Sequence, residues 1–132
     1  TSPVRSRDKV LQSLYEIELS GSSAEEILKD LSLQSRYPHY KDLLMGVVDS
    51  QEDIDKTLSE FMERDMPSLD PIERNTLRLA AYEMLFTDTD VPIIINESIR
   101  LSKKYGAADG HKYVNAILDK MFKSNFQRIE QK

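Results

Sequence analysis

The sequence predicts an all-α fold: a single-domain helical bundle of about six to seven helices. Apolar residues recur at helical spacing along most of the chain. Glycine and proline are sparse, four and five among 132 residues, which argues against a β-fold with many tight turns and against a disordered chain. The length fits one domain and leaves no room for a second independent core.

The first helix is expected over about Val4 to Leu19, with Ser2 as cap, Pro3 at its first position and Val10, Leu11, Leu14 and Ile17 as its apolar stripe. Gly21 ends it. Ser23 and Glu26 have capping-box spacing for a short helix, about Ala24 to Leu31, followed by a loop from Ser32 to Pro38. One long helix is expected from His39 to Met62, which Gly46 or the Asp49-Ser50 pair could bend, before Pro67 and Ser68 break it. The clearest start in the chain is Asp70-Pro71-Ile72-Glu73: an N-cap, a proline at the first helical position and an acid in the first turn. That helix runs to about Phe86. Its apolar residues and the Ala80-Ala81 pair mark it as central to the core. Pro92 opens the next helix and Gly106 closes it after Lys103 and Lys104. The run from Val91 to Ile95 could pass for a strand, but its proline and the downstream stripe favour helix. Asp109 is expected to cap a last helix through about Phe126.

Composition narrows the function. There is no cysteine, so disulfides and cysteine-based zinc sites are excluded. No apolar run approaches the roughly 20 residues of a membrane-spanning helix, and a cytoplasmic protein is expected. His39 and His111 lack a second ligand at metal-site spacing, and neither a glycine-rich phosphate loop nor a nucleophile elbow is present. No catalytic residue, metal or cofactor is expected, and the chain is read as a non-enzyme.

The net charge of −5 is unevenly distributed. Asp49 to Asp65 alone carries −5, so the remainder sums to zero. Bases gather at Arg5, Arg7 and Lys9 and again between Arg100 and Lys112. Arg5, Arg7 and Lys9 suit phosphate neutralisation, and cations in a first helical turn are not explained by the helix dipole; the bland alternative is a solvated terminus. The stretch from Lys103 to Tyr113 mixes bases with rings, as single-stranded RNA requires; alternatively Tyr105 and Tyr113 simply cover the core.

The run Leu69-Asp70-Pro71-Ile72-Glu73-Arg74-Asn75-Thr76-Leu77-Arg78-Leu79-Ala80-Ala81-Tyr82-Glu83-Met84-Leu85 resembles a helix signature of the NusB transcription antitermination family. Asp90-Val91-Pro92, Ile95 to Ile99, Ser102 to Gly106 and His111 to Lys120 follow at the family's spacing, and Arg7, Leu11, Gln12, Leu14 and Tyr15 resemble its first helix. The resemblance implies two subdomains, about 1–35 and 36–132. It implies a non-catalytic adaptor that binds single-stranded boxA RNA with the ribosomal protein NusE. The adaptor would join NusA, NusG and RNA polymerase to support ribosomal RNA transcription. It maps RNA contacts onto Arg5, Arg7, Asp109, His111, Lys112 and Tyr113, with Lys9 beside them, and partner contacts onto Tyr15 and Glu73. Asn96, Glu97 and Asn115 resemble structural positions. The N-terminal arm is less arginine-rich than is usual in the family, and Tyr113 stands where phenylalanine is common. Two other readings are carried: an accessory domain of a ribosomal RNA methyltransferase, and a protein-interaction or dimerisation module, with a homodimer left open. The N-terminal arginines and the Asp109–Tyr113 corner are expected to share one face.

Overall fold

A computed structural model describes residues 3–129, with side chains from Arg5 onward. Eight α-helices and no strand occur among the described residues. Helix α1 spans Pro3–Ser20, and the Ser2 cap expected for it lies outside the described residues. Gly21 follows at φ +74°, the left-handed conformation that ends a helix at little cost to glycine. Helix α2, Ala24–Ile27, starts as expected: Ser23 Oγ accepts from the Glu26 amide at 3.1 Å.

The next stretch departs from expectation. The segment read as a loop contains α3, Leu31–Arg36, capped by Asp30, whose carboxylate accepts from the Ser32 amide at 3.0 Å. Its lack of buried residues explains why apolar periodicity missed it. The long helix expected over His39 to Met62 is two helices, α4 (Tyr40–Asp49) and α5 (Gln51–Ser59), separated at Ser50. Ser50, at φ −104° and ψ 9°, leaves helical geometry while its amide still bonds back to Gly46. Its neighbours keep the apolar spacing in phase, so periodicity runs through the break.

A 3₁₀ turn, Met66–Ser68, leads to α6, Pro71–Phe86, where Asp70 Oδ1 accepts from the Ile72 amide at 2.8 Å. Helix α7 spans Val91–Tyr105 and α8 spans Gly110–Lys123. The last helix ends earlier than expected because Asn125 adopts φ +58°, a conformation that asparagine tolerates better than most residues. Asp109 precedes α8 without making the expected side-chain cap hydrogen bond.

Helix α6 is the axis of the fold, packed against α1, α4, α5, α7 and α8. It buries residues on every side, including Leu77, Leu79, Ala80, Ala81 and Met84. The interior forms two clusters. One joins α5 through α8 around Leu77, Met84, Ile94, Val114 and Leu118. The other joins Val10, Leu11 and Leu14 of α1 to Tyr40, Leu44 and Val47 of α4, with Leu79 and Leu101, and so draws on both sides of residue 35. Tyr82 packs against both.

Gly46 admits Tyr82 against α4. A Cβ at this position would lie 2.2 Å from the Tyr82 Cζ. Gly46→Ala is therefore expected to lower the thermal midpoint, at a cost of about 1–3 kcal/mol for overpacking. At an open helical site the same change stabilises by roughly 1 kcal/mol, so the sign of the shift in a thermal melt decides the role of this glycine.

Candidate nucleic-acid interface

The N-terminal half of α1 carries the first group of expected RNA contacts, and the structure gives them different roles. Arg5 is exposed. Arg7 is not: its side chain is 8% exposed and enclosed by carboxylates. Its Nε and Nη2 donate to the two Glu83 oxygens at 3.0 and 2.8 Å, and Nη1 donates to Glu97 at 3.3 Å. The structure thus turns Arg7 inward, between Glu83 and Glu97, and does not present it to solvent. Burial opposes its charge, Glu83 and Glu97 outweigh that cost, and the guanidinium pKa is raised. Glu97, expected to be structural, also accepts from Arg100 at 2.9 Å.

Asp8 continues the chain of charges. Arg100 reaches Asp8 Oδ1 at 2.5 Å, while Lys104 and Tyr105 Oη reach Oδ2 at 2.7 and 3.0 Å. Burial alone would raise this carboxyl; the three donors outweigh it, and its pKa falls below the usual carboxylate range. The pairs join α1 to α7 along its length, with Arg7 opposite Glu97 and Asp8 opposite Lys104. Lys9 stands 5.5 Å over the Tyr37 ring and donates to Gln12, which in turn donates to Tyr105 Oη at 3.0 Å.

Farther along α1, Tyr15 is 36% exposed and borders a groove with Leu11, Gln12, Ile72 and Tyr105. The groove abuts the first turn of α6, on which the α7–α8 corner rests. A Cβ at Gly106 would stand 3.3 Å from Ile72 Cγ2, and one at Gly110 would stand 2.6 Å from Glu73 Oε1. Glycine at position 110 thus lets α8 begin directly on Glu73. Glu73 is buried, which limits the surface it offers a partner. Burial raises its pKa, Asp70 adds to the effect and Arg64 opposes it.

At the start of α8, Asp109 and Lys112 are strongly exposed and form an ion pair at 3.3 Å. His111 is half-buried, with its Nδ1 turned inward. Tyr113 packs against the core with Arg64 5.5 Å over its ring. Burial raises the phenol pKa of Tyr113. The structure therefore gathers Tyr15, the α7 terminus and the α8 start around the first turn of α6, with Lys9 linked to Tyr105 through Gln12. Arg5 lies seven residues before Gln12, roughly 10 Å of helix away. Tyr37 and Arg64 were absent from the expected site. The Lys104-Tyr105 pair was visible as a basic-aromatic motif, whereas Tyr37 and Arg64 reach the site only through the fold.

Among the described residues no cluster of three His, Asp or Glu could hold a metal ion. A cavity of about 490 Å³ between α1, α4, α6 and α7 has Arg7 and Glu83 in its wall, each already satisfied by the other.

The model of the NusB family matches residues 4–123. The chain belongs to the NusB family. It is 38% identical to the transcription antitermination protein NusB of Nitrosomonas eutropha, over 88% of this chain and 73% of that one. It superimposes on T. maritima NusB with a TM-score of 0.85 at 31% identity, covering 93% and 92% of the two chains. A crystal structure of the antitermination factors NusB and NusE in complex with dsRNA matches at TM-score 0.79 and 24% identity, covering 94% and 99%. At that identity the likeness shows the shared fold.

Arg7→Ala leaves Glu83 buried without its partner, and a loss of about 3–5 kcal/mol is expected in urea denaturation. Arg7→Lys is expected to recover little, because one ammonium cannot reproduce the guanidinium fork. A fully stable Arg7→Ala variant would return Arg7 to the surface role.

Proposed function

We propose that this NusB-family chain is a transcription antitermination factor that acts by binding alone. It holds single-stranded boxA-type RNA together with NusE, and joins NusA, NusG and RNA polymerase in support of ribosomal RNA transcription. The names of its relatives support the antitermination role. The NusB–NusE–dsRNA complex of the same fold supports the two kinds of partner. The observation that carries the reading is the mixed edge of cations and tyrosines on α1, the α7 terminus and the α8 start. It lies apart in sequence from the acidic Asp49–Asp65 segment.

Within this reading the residues divide the work. Arg5, Lys9 and Lys112 meet phosphates, and Asp109 tempers Lys112. His111 and Tyr113 line the same corner, where an edge or one ring face meets a base. Arg7 acts from below, by fixing α1. Tyr15 meets the protein partner, and Glu73 seats α8 nearby. The balance of charge also accounts for an acidic protein that binds RNA: recognition requires a local cationic surface, not a positive total.

Fluorescence anisotropy with a short boxA-like RNA, with and without NusE, at two salt concentrations tests the proposal. Lys112→Ala is expected to weaken RNA binding several-fold and to flatten its logarithmic salt dependence by about 0.7. Tyr15→Ala is expected to weaken NusE binding instead. Absence of RNA binding even with NusE present overturns the reading.

A further inference from the structure

The Lys104-Tyr105 pair is the α7 end of the mixed edge, and the groups packed beneath it set how strongly it can hold a strand. Lys104 is 55% exposed at its side chain, lies 5.1 Å over the Tyr105 ring and donates to Asp8. Tyr105 is held at its hydroxyl from both sides: it accepts from Gln12 and donates to Asp8. The ring is therefore fixed while an ammonium stands over it. A cation beside an aromatic plane is the combination that takes one nucleotide of a single strand, with phosphate on the cation and base near the ring.

The charge around the pair explains why it is not a strongly cationic patch. Arg7, Arg100 and Lys104 face Glu83, Glu97 and Asp8 in one connected series, so the six groups have no net formal charge. Asp8 is the member in direct contact with the exposed ammonium, and is itself only 11% exposed. It withdraws positive potential from Lys104 without being a surface group that an approaching strand must meet. The ammonium has three donors; Asp8 takes one and the Tyr105 hydroxyl another, which leaves the third for a phosphate.

We propose that Asp8 attenuates the affinity of this edge for single-stranded RNA by partly neutralising Lys104, which with Tyr105 forms one nucleotide subsite. The inference rests on the RNA-binding reading above and extends it along α7. The hydrogen bond from Lys104 to Asp8, followed by that to Tyr105, raises the lysine pKa, so the group stays cationic throughout the neutral range. RNA shares the ammonium with Asp8, and the series of ion pairs stays intact beneath it.

Two measurements test this. In RNA titrations with NusE present, Lys104→Gln is expected to weaken binding several-fold and flatten the salt slope by about 0.7. Asp8→Asn is expected to tighten binding several-fold and steepen the slope. Asp8→Asn made in the Lys104→Gln background is expected to lose most of that gain. Unchanged affinity for Lys104→Gln, whose exposed side chain makes a folding defect easy to exclude by circular dichroism, overturns the subsite. A folded Asp8→Asn variant that binds more weakly overturns the attenuation. The second measurement titrates inorganic tripolyphosphate into the free chain and follows the Lys104 and Tyr105 resonances by NMR. Shifts that grow in Asp8→Asn support the subsite even if the boxA-like RNA fails to bind, a result that would remove the antitermination reading alone. Absence of shifts at these two residues overturns the subsite.

Discussion

Arg7 reaches across from α1 to a carboxylate of α6 and another of α7, and the positions of the remaining surface elements follow from that tie. Three of its bonds go to Glu83, seventy-six residues away, with both groups nearly excluded from water. A buried ion pair is weak evidence of net stability, because desolvation offsets much of its attraction. Its value is directional: the guanidinium fork accepts carboxylates in few geometries, so it sets the rotation of α1 and its register on α6 and α7. With Arg7 fixed inward, the next residue, Asp8, faces the end of α7 and gathers Arg100, Lys104 and Tyr105. Lys9 and Gln12 then fall beside Tyr37 and Tyr105.

A second tie works in the same way lower on α1. Arg74 grips both oxygens of Glu18 at 2.9 and 2.7 Å and donates to the carbonyls of Met66 and Leu69. Arg78 takes the two oxygens of Asp55 at 2.9 Å each. The first turns of α6 are thereby joined to α1, to α5 and to the 3₁₀ turn. This is the turn on which Gly106 and Gly110 seat the α7–α8 corner. The interface is thus built from rigid helix ends held by arginine forks. Glycine at position 110 lets the Glu73 carboxylate stay where it is, since a Cβ there would push it aside.

Much of the fold was legible in the sequence because its strongest signals are local. Asp70-Pro71 starts α6, Gly21 stops α1, and apolar spacing marks α1, α6, α7 and α8. The break at Ser50 was not legible as a boundary, since the apolar pattern stays in phase through it. Helix α3 was hidden because it buries nothing. In the candidate interface, Lys112 and Asp109 were readable as exposed charges flanking a helix start. The depth of Arg7 was not, since an arginine near a terminus looks solvated until its partners at 83 and 97 arrive through the fold. Glu73 likewise reads as a first-turn acid favoured by the helix dipole, yet α8 covers it. Asp8, an acid between Arg7 and Lys9 in the sequence, is in three dimensions the hub for three donors.

The central claim is that one surface, made of the α1 start, the α7 terminus and the α8 start, meets RNA and its protein partner while the acidic α5 side does not. Hydrogen–deuterium exchange on the chain, free and saturated with NusE and a boxA-like RNA, addresses it most directly. Slowed exchange at residues 5–12 and 103–113, with residues 51–59 of α5 unchanged, is the predicted result. Protection concentrated in 51–59, with 103–113 unaffected, would contradict the account.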